Sequence, residues 1–171
     1  MAEPSCTVTS LPIDGTSWGT SPSQGAGEWL PRKTMRRRLA AVHRQWNPIR
    51  GYDTSSLGLI QFEVWSAQVG LVPYPEVCVH TRQGVVIGVL QGGIARARRC
   101  FFIDHIAVHP NFEHDARVCE QLVELAIDRS LEEGFHGWVA CIPEEGAESL
   151  WKALRFSPSS DRTYRRMGYF V

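Results

Sequence analysis

No apolar run in the sequence approaches the roughly 20 residues a helix needs to cross a bilayer. The N-terminus also lacks a charged start followed by a hydrophobic block. The chain is therefore expected neither to span a membrane nor to be exported. An excess of one charge is missing too: 18 basic and 18 acidic residues give a formal net charge of zero, which removes the electrostatic footprint of a general nucleic-acid binder. The five cysteines, Cys6, Cys78, Cys100, Cys119 and Cys141, are odd in number, scattered and mostly set in apolar runs. They form neither a disulfide framework nor a CxxC metal pair, and a reducing cytoplasm is the expected compartment. No HExxH or similarly tight ligand spacing occurs. His105, His109 and His114, with Asp104, Glu113 and Asp115 nearby, are divided by strand pleating and by Pro110, so no metal is expected.

What is present is enough for one core. The 171 residues are 43% hydrophobic, which suits one globular domain and is too short for two ordinary ones. Residues 1–30 are rich in Ser, Thr, Gly and Pro and read as an irregular N-terminal arm, with a short strand at Cys6 to Ile13 and a loop-like SWGTSPSQGAGEW after it. The domain is expected to occupy residues 31–171. Met35, Leu39, Val42 and Trp46 recur at helical spacing after Pro31, whose fixed backbone angle suits a first helical position. Pro48, Gly51 and Asp53 break that helix. A shorter one with Ile60, Val64 and Trp65 begins near Ser55 or Ser56. From Glu76 the pattern is strand-like: VCVHTR, a turn at Gln83-Gly84, VVIGVLQGGIARA, a turn at Arg98-Arg99, then CFFIDHIAV. An amphipathic helix containing Leu122, Leu125 and Ala126 follows and stops at Gly134. GWVACIP reads as a strand buried on both faces, and Thr163 to Val171 as a closing strand. The sum is an α+β fold, a mixed, mostly antiparallel central sheet flanked by helices on both faces.

The stretch from Phe101 to Phe156 has the order strand (FFIDHIAVHP), turn (NFEHDARV), long helix (CEQLVELAIDRSLEEGF), strand (GWVACIP), short helix (ESLWKALRF). In that order it resembles the GCN5-related N-acetyltransferase family, GNAT, over Glu76 to Phe170. The resemblance implies an acyl-CoA N-acyltransferase fold and acetyl-CoA, or another acyl-CoA, as donor. In the family a turn of pattern Arg or Gln, two residues, Gly, one residue, Gly or Ala opens the long helix, and its N–H groups hold the pyrophosphate. The matching positions here are Glu113, Ala116 and Val118. Glu113 and Asp115 put carboxylates where they can satisfy the helix dipole themselves, whereas His114 and Arg117 can turn toward a phosphate. His114, Asp115, Ala116, Arg117 and Val118 are thus the implied phosphate-turn residues. The pantetheine arm implies main-chain contacts at Ile106, Ala107 and Val108, in an opening between His105–Val108 and Val139–Ile142.

Acyl transfer to an amine calls for a base, and the departing thiolate benefits from an acid. By strand alternation Asp104 shares a face with Phe102 and Ile106. It matches a position where some family members carry a histidine acting as base, with His105 beside it. Asp104 and His105 also read as an ordinary polar pair at a strand end, and Glu63 and Glu76 are further carboxylates. At the family's tyrosine position stands Trp151, with Arg155 in place of the following glycine. Indole N–H is no proton donor to a thiolate, which leaves Tyr164 as the substitute acid if the last strands bring it to that point.

Three readings stand side by side. The chain is an acyl-CoA-dependent N-acyltransferase acting on a small-molecule or protein amine; or a catalytically inactive GNAT-like binding or subunit-pairing module; or a transferase with a different, non-CoA donor. Exposed tryptophans and family habit point to a homodimer or a protein partner. The clusters Arg36–Arg38, Arg96, Arg98 and Arg99, and Arg162, Arg165 and Arg166 read as solvated faces or as sites for an acidic partner.

Overall fold

A computed structural model describes residues 25–47, 55–112, 115–159 and 163–166. The elements in chain order are β1 (Ala26–Trp29), α1 (Arg32–Trp46), α2 (Ser55–Gln68), β2 (Glu76–Arg82), β3 (Val85–Ala95), β4 (Cys100–Val108), α3 (Ala116–Glu132), β5 (Val139–Cys141), α4 (Glu148–Ala153), β6 (Ser157–Pro158) and β7 (Tyr164–Arg166). The strands make one sheet in the order β1-β2-β3-β4-β5-β7-β6. Every neighbouring pair is antiparallel except β4 with β5. The short strand read at Cys6 to Ile13, and the turn residues Glu113 and His114, lie outside the described residues.

Alternation along β2 explains why the sheet is covered twice. Val77 and Val79 point to one face and Cys78 to the other. On the first face they meet Met35, Leu39, Val42 and Trp46 of α1 and Leu57, Ile60 and Val64 of α2, all fully or almost fully buried. On the second face Cys78, Leu90, Phe101 and Ile103 pack against Val118, Leu122, Val123, Ala126 and Ile127 of α3, with Trp151, Leu154 and Phe156 closing the layer. Each such large apolar side chain contributes about 2 kcal/mol of transfer free energy, so the two helical layers fix the sheet between them.

Helix limits follow local chemistry. The Thr34 and Met35 N–H groups both donate to the Pro31 carbonyl, and Pro31 has extended backbone (φ −62, ψ 137), so it caps α1 rather than opening it. Gly134 (φ 77) ends α3: its N–H donates to Leu131 O and the Phe135 N–H to Ser130 O, each at 2.9 Å, the paired bonds of a left-handed C-terminal cap. Two elements differ from the sequence reading. Residues 26–29, read as loop, form an edge strand on β2, held by Trp29, whose ring lies 5.5 Å from that of Phe101. β6 is two residues long and gives no pattern to read.

The irregularity that matters lies in β4. Pairing with β3 runs Gln91 with His105, then Gly92 with Ile103, so Asp104 is an extra residue, a β-bulge. One inserted residue inverts the alternation: Phe101 and Ile103 face α3, whereas His105 reaches α2 and Ala107 joins the α1/α2 core. The expected common face of Asp104, Phe102 and Ile106 is therefore corrected. Asp104 and Phe102 line one groove, but Ile106 packs on the α3 side.

Candidate functional site

β4 and β5 run together for three pairs, the last being Ile103 with Cys141. At the next residue β4 bulges and bends, while β5 gives way to exposed Ile142 and then to Pro143, which has no N–H to donate. Beyond the bulge, the β5-facing edge of β4 from 104 to 108 has no strand partner among the described residues. Its main-chain donors and acceptors are free to bind an extended ligand as an additional strand. Ile106, Ala107 and Val108 all lie on this edge. Ala107 points its side chain into the α1/α2 core and Ile106 and Val108 theirs toward the α3 layer, so a ligand meets them through the backbone.

Beside the opening, three elements bring polar side chains together. Glu63 of α2 accepts a hydrogen bond from Gln91 Nε2 of β3, and its other oxygen is 3.4 Å from His105 Nε2 of β4. Gln91 is wholly buried. Because a carboxylate only accepts, the amide nitrogen faces Glu63 and the amide oxygen is left over; that oxygen has no partner. Asp104 reaches solvent at the bulge. Its carboxyl pKa is raised above the usual value, first by partial burial and then by the Glu63 carboxylate, with His105 opposing. Burial holds the Cys141 thiol, at the point where the strands part, at about 12. Cys78 is pushed to about 12 and Cys119 to about 11, so none of these three offers a thiolate nucleophile near neutral pH.

The turn before α3 is occupied by the protein's own groups. Asp115 caps the helix, accepting the Arg117 N–H at 3.1 Å with its side chain and the Val118 N–H at 3.0 Å with its carbonyl. Arg82 of β2 places a guanidinium 3.5 Å from that carboxylate and 5.4 Å from the centre of the Phe112 ring. Ala116 and Arg117 are exposed. The Val118 side chain is fully buried, close enough to Gly88 that a Cβ there would lie 2.9 Å away; it points into the core and does not cover the turn.

The remaining candidates are spread out. Trp151 is only 8% exposed and packs edge-on to Phe156 at 4.9 Å, as a core residue. Tyr164 stands opposite Cys141 in β7, one strand beyond the parting point, and packs on the α3 side. Glu76 is engaged by Arg129 at 2.7 Å. His109 meets the Trp46 and Phe112 rings edge-on. Among the described residues no group of three or more His, Cys, Asp or Glu is placed to hold a metal ion. Sequence reasoning missed Gln91 and Arg82. The signal for the first was available, a lone amide inside the apolar strand VVIGVLQGGIA; for Arg82 nothing in the sequence pointed to the turn.

No family model and no curated protein matches the chain. Among solved structures it is similar to AtaTR bound with acetyl-CoA, at 15% identity and a TM-score of 0.54, over 84% of this chain and 93% of that one. It is similar also to Ard1 from Thermoplasma volcanium, at 18% identity and a TM-score of 0.50, over 86% and 99%. A third is the ribosomal-protein-alanine N-acetyltransferase from Brucella melitensis, at 17% and 0.50, over 84% and 99%. The shared feature is the fold, that of the GNAT acyl-CoA N-acyltransferases.

Proposed function

We propose, from the GNAT fold as premise, that the chain is an acyl-CoA-dependent N-acyltransferase acting on an amine. The observation that carries this is the bulge at Asp104. It lies where β4 parts from β5, and the extra residue it inserts there carries an exposed carboxyl group with a raised pKa. The donor supplies a thioester, an activated acyl group with a thiol leaving group. The edge of β4 from 104 to 108 holds the donor's arm through main-chain hydrogen bonds, which side-chain substitution leaves in place. Arg82, Arg117 and the first N–H groups of α3 face its phosphates, in competition with Asp115. Asp104 takes the proton from the attacking amine, its raised pKa bringing it nearer that task. Among the described residues Tyr164, opposite Cys141, is the tyrosine that a strand carries beside the parting point, and we assign it the proton returned to the thiolate.

Titration calorimetry with acetyl-CoA, followed by an amine screen read by thiol release, tests the reading. A micromolar dissociation constant, near −8 kcal/mol, with turnover that Asp104→Asn lowers by at least 100-fold, supports it. Absence of heat at millimolar donor overturns it, and unchanged turnover in Asp104→Asn overturns the role of Asp104.

A second reading is favoured by two specific observations: Asp115 already fills the helix terminus, and Trp151 stands buried at the family's tyrosine position. Under that reading the fold serves as a non-catalytic binding module. Donor-dependent acylation of any amine by purified protein would exclude it.

A further inference from the structure

The layer formed by α1 and α2 turns two unlike stripes away from the sheet. α1 (RKTMRRRLAAVHRQW) carries Arg32, Lys33, Arg36, Arg37, Arg38 and Arg44 and no acidic residue, in a chain whose formal net charge is zero. Met35, Leu39, Val42 and Trp46 fix the side that meets the sheet. At about 3.6 residues per turn, Lys33, Arg37 and Arg44 fall on the opposite side, and all three are exposed. Arg38 pairs with Glu28 at 2.7 Å and Arg32 lies over the Tyr74 ring. Lys33, Arg37 and Arg44 have no acidic partner among the described residues.

α2 (SSLGLIQFEVWSAQ) is apolar where α1 is charged. Its inner side buries Leu57, Ile60 and Val64. On its outer side Leu59, Phe62 and Trp65 are exposed, and Val69, Leu71 and Val72 continue the strip past its end. Phe62 is 60% and Leu71 70% exposed, and the Phe62 and Trp65 rings lie 5.9 Å apart. With roughly 100 Å² of each side chain in water, the six make a patch of roughly 600 Å², the upper end of what a monomer commonly exposes. The one charged residue of α2, Glu63, turns toward Gln91 and His105 instead. Arg36 reaches Gln68 at 3.5 Å across the seam between the helices, so the cationic and apolar stripes form one surface.

The chemistry of that surface narrows its partner. Cations without counter-charges call for an anion, and a second copy of the same face brings no outward acidic residue to answer them. A nucleic acid supplies phosphates but has nothing for Leu59, Val69, Leu71 and Val72, because aliphatic side chains are not stacking platforms for bases. A folded protein would need a surface shaped to these protruding side chains. A bilayer needs no matching shape: its headgroups take up basic residues, and the acyl boundary beneath them takes up aromatic and aliphatic ones. We propose that the outer face of α1 and α2 docks on an anionic lipid bilayer, with Lys33, Arg37 and Arg44 against the headgroups and Phe62, Trp65, Leu71 and Val72 inserted to the acyl boundary. The attachment is peripheral, since no helix among the described residues is long and apolar enough to cross a membrane. It does not depend on the acyltransferase reading.

The test is co-sedimentation of the whole chain, without acyl donor, with vesicles of phosphatidylcholine alone and of equimolar phosphatidylcholine and phosphatidylserine. Binding is expected to be at least about tenfold tighter to the anionic vesicles and to weaken as salt is added. Replacing both Arg37 and Arg44 by Gln removes two cations worth about fivefold each, about 20-fold in all. Phe62→Ser with Leu71→Ser, at exposed positions, is expected to weaken binding by at least about tenfold while leaving the urea midpoint unchanged. No binding to anionic vesicles, equal binding to both kinds, or binding that survives either pair of substitutions overturns the proposal. So does a chain that ignores vesicles, is dimeric by light scattering and becomes monomeric on the Phe62 and Leu71 substitutions, which would identify a second copy as the occupant.

Discussion

Replacing Asp115 by Asn separates the two things its carboxylate does at the start of α3. As a cap it accepts the Arg117 N–H at 3.1 Å, and as a charge it faces Arg82 at 3.5 Å. Asn caps a helix about as well as Asp, so the first role survives. The ion pair involves two partly exposed side chains, for which a loss of less than about 1 kcal/mol is expected. Stability should therefore change little. Affinity for acetyl-CoA should not. A pyrophosphate held at this terminus brings about two negative charges to within roughly 5 Å of the carboxylate, and each repulsion is about 0.8 kcal/mol even at the dielectric of water. Removing about 1.6 kcal/mol of repulsion corresponds to slightly more than tenfold in the dissociation constant, before any gain from freeing Arg82. Calorimetry of wild type and Asp115→Asn with acetyl-CoA, beside urea unfolding of both, measures the two effects. Unchanged or weaker binding by a variant of unchanged stability would refute the argument that Asp115 competes for the phosphate position.

Much of the fold can be read where a pattern has one cause. CFFIDHIAV coincides with β4, and the helical spacing of Met35, Leu39, Val42 and Trp46 that locates α1 comes directly from burial on one side of that helix. The start of α3 is less legible. The apolar pattern suggests Cys119, but the helix begins at Ala116, because Asp115 caps it and capping precedes the amphipathic pattern by a turn. The bulge cannot be read at all. Phe101, Ile103, Ile106 and Val108 lie on one face of β4 and Phe102 and Ala107 on the other, so FFIDHIAV carries apolar residues on both sides and a one-residue slip leaves no trace in the pattern. Only the partner strand reveals it, through the change of register at Gln91 and Gly92.

The candidate site is legible to the same degree. The open edge at Ile106, Ala107 and Val108 depends on topology, which the order of elements carries. The Glu63–Gln91–His105 contact joins residues 28 and 42 positions apart, and no local pattern encodes it. Asp115 is the opposite case: a carboxylate in a helix's first turn has a local physical meaning, and its cap bond is the one that meaning predicts. Side chains that act through neighbours in sequence can be placed from the chain alone, whereas those that act across the sheet need the register.

Two further perturbations probe the frame and its titrating groups. Gly92→Ala puts a Cβ 2.2 Å from the Phe102 carbonyl oxygen and 2.5 Å from the Phe101 ring. It should cost about 3 kcal/mol in urea unfolding, against less than about 0.5 kcal/mol for Gly93→Ala next to it; equal costs would show that the bulge is soft. The other perturbation is acid. His80 and His109 are buried, and both have pKa values lowered, His80 by burial and then by the Arg82 charge, His109 by burial. The unfolded chain then binds protons at higher pH than the folded one. Their contribution to stability is complete above the unfolded value of about 6.5 and is lost as the pH falls from there through the lowered folded values. Two protons set an upper limit of about 2.7 kcal/mol per pH unit for the slope. Asp104, with its pKa raised, has the opposite sign: its contribution is complete below the ordinary carboxylate range and is lost as the pH rises from there through the raised folded value. Because the unfolded imidazoles take up protons at about 6.5 while the folded ones resist, the urea midpoint should fall between pH 7.5 and 5.5. The slope should lessen in His80→Gln, which keeps a polar side chain but binds no proton. A midpoint that is flat or rising over that interval would mean that the buried imidazoles do not govern stability there.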